Sequence, residues 1–415
     1  MQFLLRCGDF LGTLLVVPHR RIGHARLVWG TLACVSIAVG LVFSLARSDA
    51  YWEVRHWLEV WRAGPSDVYT VPYLDVDYPP HAMWILLPLA WLPASIAPLA
   101  YAIFNAAVCI LSTWLLVSVT SRLVGADLSR AERSAYVLMF LAWTPVRVCI
   151  WYGQTTPLVL LFLCAAMRIA DEFPILAGIC LGLGTFKPHV AMGFLIVFAF
   201  QKRLVSLLSA TVVVAGLVWA YCVSVGQSIP AVIGEYYAKL NHIYGGSTFQ
   251  HGEVDMRPFF VDVFRKYGVA EPLFLITCVV LAVVMISLSW RARKQPSAYG
   301  LILATGLMWS LAVFPFHRYG LLLMAPVILY LLWEPRVTRR TMRMLAIVIF
   351  SILIDVPFLI RHAMVRWGSP RISRLEPWAH YANRIAIVVF LAIALVHLAR
   401  LGRPVAGRPA TEAAS

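Results

Sequence analysis

Apolar residues run almost unbroken by charge through 27–46, 204–225, 272–290 and 344–360 of this chain. A helix needs roughly 20 such residues to cross a hydrocarbon core of about 30 Å. Shorter apolar runs lie between them. Together they predict about twelve transmembrane helices (11–13), near 27–46, 97–121, 134–146, 155–170, 174–186, 189–201, 204–225, 272–290, 297–314, 319–333, 343–360 and 384–400. The apolar–polar alternation of a membrane strand is absent, which excludes a β-barrel. The fold class is an all-α polytopic membrane protein. The run 79–93, bounded by Pro79, Pro80 and Pro93, stands apart. Its residues would rise only about 22 Å as a helix, so it reads as a juxtamembrane or re-entrant helix on the outer face.

Composition agrees. The 415 residues are 61% hydrophobic and 13% charged, with a mean hydropathy of +0.78; soluble domains carry about 25% charged residues. The formal net charge of +15 would suggest nucleic acid in a soluble protein. Here it follows the topology. With both termini cytoplasmic, Arg122, Arg168, Lys202, Arg203, Arg291 and Lys294 are among the basic residues that fall inside, as the positive-inside rule requires. A full crossing at 79–93 would turn every later basic loop outward. No nucleic-acid partner is expected.

Three regions follow. Residues 1–26 read as a cytoplasmic interfacial segment, lacking both a basic stretch before the apolar part and a small-residue cleavage site. Residues 27–401 form one transmembrane domain, with a first outer loop at 49–93 and a long outer loop at 226–271. The Gly/Pro/Ala-rich tail 402–415 is expected to be disordered. Size and charge pattern suit a bacterial inner membrane. The eight cysteines show no C-x-x-C pair and read as buried small hydrophobes. The eleven histidines lack zinc-site spacing. Neither a metal nor a cofactor is expected.

Residues able to do chemistry collect on the outer face. Asp49 follows the first span directly, in Ser48-Asp49-Ala50-Tyr51-Trp52. Carboxylates at a membrane are costly unless solvated or used. One at the headgroup level can serve as a general base toward a lipid-borne substrate, or it can cap a helix over 51–61. Asp75 and Asp77 form a D-x-D that in a strand would point both carboxylates one way. Trp151-Tyr152-Gly153-Gln154-Thr155-Thr156 opens a span, and Gln154 can fix a sugar hydroxyl. Lys187-Pro188-His189 sits at an outer helix junction, where Pro188 leaves helix N–H groups facing an anion. His317-Arg318 can hold a phosphate. The segment 361–384 is basic against the trend, with Arg361 at its head; it attracts either an anionic ligand or anionic lipid. The long loop carries Gly245-Gly246-Ser247-Thr248-Phe249-Gln250-His251, suited to carbohydrate or headgroup contact. A transporter or flippase, a ligase or polymerase of lipid-linked glycans and a membrane scaffold are the other classes these features admit. A transporter would place ionisable groups at mid-membrane and repeat a broken helix in two halves; no repeat is found.

Five short motifs, in order, carry a resemblance. They are Asp49-Ala50-Tyr51-Trp52 with Trp57, Arg62-Ala63-Gly64 with Tyr69, Tyr78-Pro79-Pro80 leading to Leu87-Pro88-Leu89-Ala90-Trp91-Leu92-Pro93, Trp151-Tyr152-Gly153-Gln154, and Phe186-Lys187-Pro188, with Asn105 between the third and fourth. Over about residues 28–335 the chain resembles glycosyltransferase family 87, polyprenol-phosphate-mannose-dependent α-mannosyltransferase-like proteins of GT-C architecture. The resemblance implies a polyprenyl-phosphate sugar donor, a glycolipid or glycan acceptor, transfer of one hexose (mannose) at the outer membrane–water interface, and inversion at the anomeric carbon. It implies Asp49 as general base. Lys187, His317, Arg318 and Arg361 become the candidate donor-phosphate cations. Tyr51, Tyr78, Gln154 and His251 become candidate sugar- or acceptor-binding residues.

Overall fold

A computed structural model describes residues 22–46, 49–63, 68–71, 74, 76–93, 95–244, 256–264, 267–314, 318–333 and 376–402. Among the described residues the regular structure is helical and no strand occurs. The chain runs through α1 (Ile22–Ala46), α2 (Asp49–Ala63), α3 (His81–Leu86) with a 3-10 turn Leu87–Trp91, α4 (Ala97–Val124), α5 (Arg130–Leu141), α6 (Thr144–Tyr152), α7 (Thr156–Ile169), α8 (Pro174–Gly184), α9 (Pro188–Phe200) and α10 (Leu204–Val225). It continues through α11 (Ile229–Tyr244), α12 (Arg257–Phe264), α13 (Ala270–Ala292), α14 (Ala298–Val313), a 3-10 segment Arg318–Met324, α15 (Ala325–Trp333) and α16 (Glu376–Leu401).

The predicted runs fall on helices, but helix length divides them. Five helices are long and apolar enough to cross a membrane: Ile22–Leu45, Ala97–Val124, Leu204–Val225, Ala270–Ala292 and Asn383–Leu401. The run expected as one span at 134–146 is instead two helices, α5 and α6, bent by 59°, which together make a sixth. Pro145, near the start of α6, explains the break: its ring clashes with the carbonyl four residues back and it donates no hydrogen bond. The remaining apolar helices are short. The 11 residues of α8 rise only about 16 Å, half of what a crossing needs. The run 343–360 lies outside the described residues. The stretch 79–93 forms the short α3 and its 3-10 turn, as a segment too short to cross should.

Glycines set the closest helix approaches. Gly178 and Gly182, one turn apart on α8, face α10. A Cβ at Gly178 would fall on the Ser206 carbonyl oxygen and the Ser209 Cβ, and one at Gly182 would stand 2.9 Å from the Ala210 carbonyl oxygen. Small residues four apart allow backbones this close in a membrane, where packing drives association. Gly193 of α9 meets Gly306 of α14 in the same way, at 2.8 Å from a Cβ built on Gly306. Gly178→Val should therefore cost about 1–3 kcal/mol or more, the usual cost of overpacking, read as a lower thermal midpoint of the detergent-purified protein.

The described part of segment 49–93 forms a packed cap. Arg55 donates to Glu59 (2.7 Å) and to the Leu92 carbonyl (2.8 Å), tying α2 to the end of the 3-10 turn. Trp61 Nε1 donates to Ser224 Oγ at 3.0 Å and Lys239 Nζ to the Val71 carbonyl at 2.8 Å, so α10 and α11 hold the cap from the other side. Trp57, Leu58, Val68 and Tyr69 are buried beneath it. Trp57, Trp61, Tyr69 and Tyr78 join the aliphatic Leu58 and Val68 in its interior, each removing a large apolar area from solvent.

Candidate active site

The cap, α6, α7 and the α8–α9 junction meet at Lys187. This residue is 3% exposed. Its Nζ donates to Thr156 Oγ1 at 3.1 Å and Gln154 Oε1 at 3.3 Å, and lies 5.2 Å from the centre of the Tyr78 ring, within cation–π range. Burial pushes the Lys187 ammonium down to about 8, while the Asp77 carboxylate and, less strongly, Cys149 pull the other way. Desolvation wins because an isolated charge is costly away from water. Lys187 retains its proton through neutral pH.

Each neighbour is held by its own element. Pro157 is the second residue of α7 and Pro188 the first of α9, and both helices direct N-terminal N–H groups and the positive ends of their dipoles to the junction. Gly153 ends α6 in a left-handed turn at φ 66°, which glycine adopts without strain and which aims Gln154 at the junction. That turn is clamped from α4: Tyr101 OH donates to the Gly153 carbonyl (2.7 Å) and Asn105 Nδ2 to the Cys149 carbonyl (2.8 Å). Tyr78 OH shares a 2.7 Å hydrogen bond with Thr155 Oγ1, and Tyr69 OH donates to the Tyr78 carbonyl at 2.7 Å. Phe186 and Trp57 flank the Tyr78 ring, at 6.0 Å and 5.5 Å between centres.

The edge of the site carries Asp77, which is half-buried in irregular backbone rather than a strand. Its carbonyl accepts from Tyr236 OH at 3.4 Å, and its charge acts on both Lys187 and Tyr236. His81 Nε2 lies 3.3 Å from Thr185 Oγ1. Burial pushes this imidazole down to about 4, against an opposing hydrogen bond with the Thr185 backbone, so it is neutral at pH 7. The site thus combines a buried cation, two helix N-termini, neutral hydroxyls and an aromatic wall. That set is chemically suited to an anion.

Of the sequence candidates, the fold brings Tyr78, Gln154 and Lys187 together. Gln154, read as a sugar contact, accepts from Lys187 through its side-chain oxygen. Asp49 is the first residue of α2 and Tyr51 lies in the same first turn. Two turns on, about 12 Å along the axis, Trp57 of α2 touches Tyr78. At the end of α1, Phe43 stacks on Trp151 at 4.7 Å, three residues from Gln154. Arg318 opens the 3-10 segment Arg318–Met324. Asp75, His251, His317 and Arg361 lie outside the described residues. Sequence reasoning missed His81, Thr185 and Tyr236. His81 had a signal, standing directly after Tyr78-Pro79-Pro80; the other two had none, because only the fold brings them near.

The sequence profile of glycosyltransferase family 87 matches residues 77–315, more than half of the chain. The match opens at Asp77 and includes Tyr78, Gln154 and Lys187. Neither a curated protein nor a solved structure gives a significant match.

Proposed function

The chain belongs to glycosyltransferase family 87, and from that premise we propose that it moves one hexose, mannose, from a polyprenyl-phosphate carrier to a hydroxyl of a glycolipid or glycan at the outer membrane–water interface. It is a membrane glycosyltransferase; donor, sugar, base and stereochemistry are the reading offered here. The observation that carries this reading is Lys187, a buried ammonium at two helix N-termini, placed as the phosphate of a lipid-borne donor requires. In the proposed step Asp49 takes the acceptor hydroxyl proton. The acceptor oxygen forms a bond to the anomeric carbon from the face opposite the phosphate. The carbon–oxygen bond to phosphate breaks, and the configuration inverts. Polyprenyl phosphate leaves with the added negative charge. Lys187 stabilises that charge, with His317, Arg318 and Arg361 as further cations. Electrostatic stabilisation of a leaving group is often the largest catalytic contribution. Tyr51, Tyr78, Gln154 and His251 are assigned to the sugar and acceptor, and Gln154 also orients Lys187.

The proposed architecture is GT-C, with about twelve spans and both termini in the cytoplasm of a bacterial inner membrane. The short helices α7, α8 and α9 would then end below the outer surface, and their junction would be a recess open to the outer leaflet. The test is transfer of radiolabelled sugar by the purified protein from polyprenyl-phosphate-mannose and, separately, from a nucleotide-linked mannose. Label in a new lipid or glycan from the first donor alone is expected. Transfer from the nucleotide sugar alone would overturn the donor assignment.

A further inference from the structure

The opposite ends of α7 and α9 carry a second cationic cluster that sugar transfer does not use. Arg122 at the end of α4 reaches across to the last turn of α7, donating to the Met167 carbonyl at 2.5 Å and the Arg168 carbonyl at 3.4 Å. Arg203, at the α9–α10 turn, pairs with Asp171 at 2.8 Å, and Arg122 approaches the same carboxylate at 4.0 Å. Arg168 and Glu172 also stand within electrostatic reach of Arg122. Lys202 completes the group from the same turn, in a left-handed conformation at φ 56°. Four cations thus face two acids, and Arg168 and Lys202 are exposed.

Apolar surface flanks the cluster directly. Phe173, Ile175 and Leu176 at the head of α8, and Leu204, Val205 and Leu208 at the head of α10, are all exposed. Cations that begin where exposed apolar side chains stop mark the headgroup level of a bilayer. A free phosphate would use the charges and leave the apolar flank unexplained.

We propose that Arg122, Arg168, Lys202 and Arg203 bind the phosphate headgroup of an anionic phospholipid, whose acyl chains lie along the heads of α8 and α10. The α7 and α9 helices put this site roughly 20 Å from Lys187, so it is separate from the donor site and does not depend on the proposed function. Asp171 competes with the lipid for Arg203 and Arg122.

The test uses the full chain in detergent, titrated with phosphatidylglycerol or phosphatidylcholine and read by native mass spectrometry. Arg168→Gln with Lys202→Asn should weaken phosphatidylglycerol binding roughly fivefold for each charge removed and leave phosphatidylcholine unchanged. Asparagine is chosen because it tolerates positive φ. Asp171→Asn should tighten phosphatidylglycerol binding, an outcome that misfolding does not produce. Arg26→Gln with Arg62→Gln removes two exposed cations on α1 and α2 and should change binding less than about twofold if attraction is local. An equal loss in that control would overturn the proposal in favour of diffuse charge attraction. So would wild-type binding by the Arg168/Lys202 variant, or weaker binding by Asp171→Asn.

Discussion

Asp49→Asn is expected to slow sugar transfer by about a hundredfold to ten-thousandfold, the range for loss of a general base. The substitution separates two roles that the sequence leaves joined. Asp49 begins α2, and asparagine caps a helix about as well as aspartate. A cap role would survive the change and a base role would not. The purified variant should keep its thermal midpoint and its affinity for polyprenyl phosphate while losing turnover. Full activity in Asp49→Asn would remove Asp49 from the mechanism. If Asp77→Asn were then inactive at every pH, the base would pass to Asp77, which stands beside Lys187.

Lys187→Met should lower kcat/KM for the lipid-phosphate donor by about a hundredfold to a thousandfold, comparable to losing one preorganised electrostatic contact. Methionine fills much the same volume without the charge, so the loss reads charge rather than packing. Lys187→Arg should rescue poorly, because the planar guanidinium does not fit contacts shaped to a compact ammonium. The pH dependence follows from the sign of the shift. Burial lowers Lys187 to about 8, so the phosphate-binding, protonated form is present below that pH and is lost as pH rises through it. In the wild type, kcat/KM should fall on the alkaline side near pH 8. Asp77 holds Lys187 up, so Asp77→Asn should move that limb to lower pH. The bound donor phosphate supports the proton in Asp77's manner, so the limb in kcat should lie at higher pH than the limb in kcat/KM. An alkaline limb unmoved by Asp77→Asn would disconnect the two residues.

The helical membrane class was legible in the sequence because hydrophobic length is a local property. The long apolar runs 27–46, 204–225 and 272–290 each became a long helix without reference to its neighbours. The span at 134–146 failed as a single helix for a reason also present locally: Pro145 cannot continue a helix begun at Arg130. Helices α7, α8 and α9 follow one another across turns of four and three residues (170–173 and 185–187), and their lengths, which the apolar pattern alone does not fix, are shorter than a straight crossing of a bilayer.

The candidate site divides in the same way. The chain alone marked Tyr78, Gln154 and Lys187, because proline and glycine beside them announce helix ends and a lysine in an apolar stretch requires an anion. It also determined the family, through motifs whose order survives without any geometry. Only the tertiary structure decided that these residues converge, that Gln154 turns its oxygen to Lys187, and that His81, Thr185 and Tyr236 join them. Those contacts link positions as much as 159 residues apart, as between Tyr236 and Asp77. No local periodicity encodes such a distance, since it depends on which helix faces pack, and glycines such as Gly178 and Gly193 set that packing through the close approach of backbones.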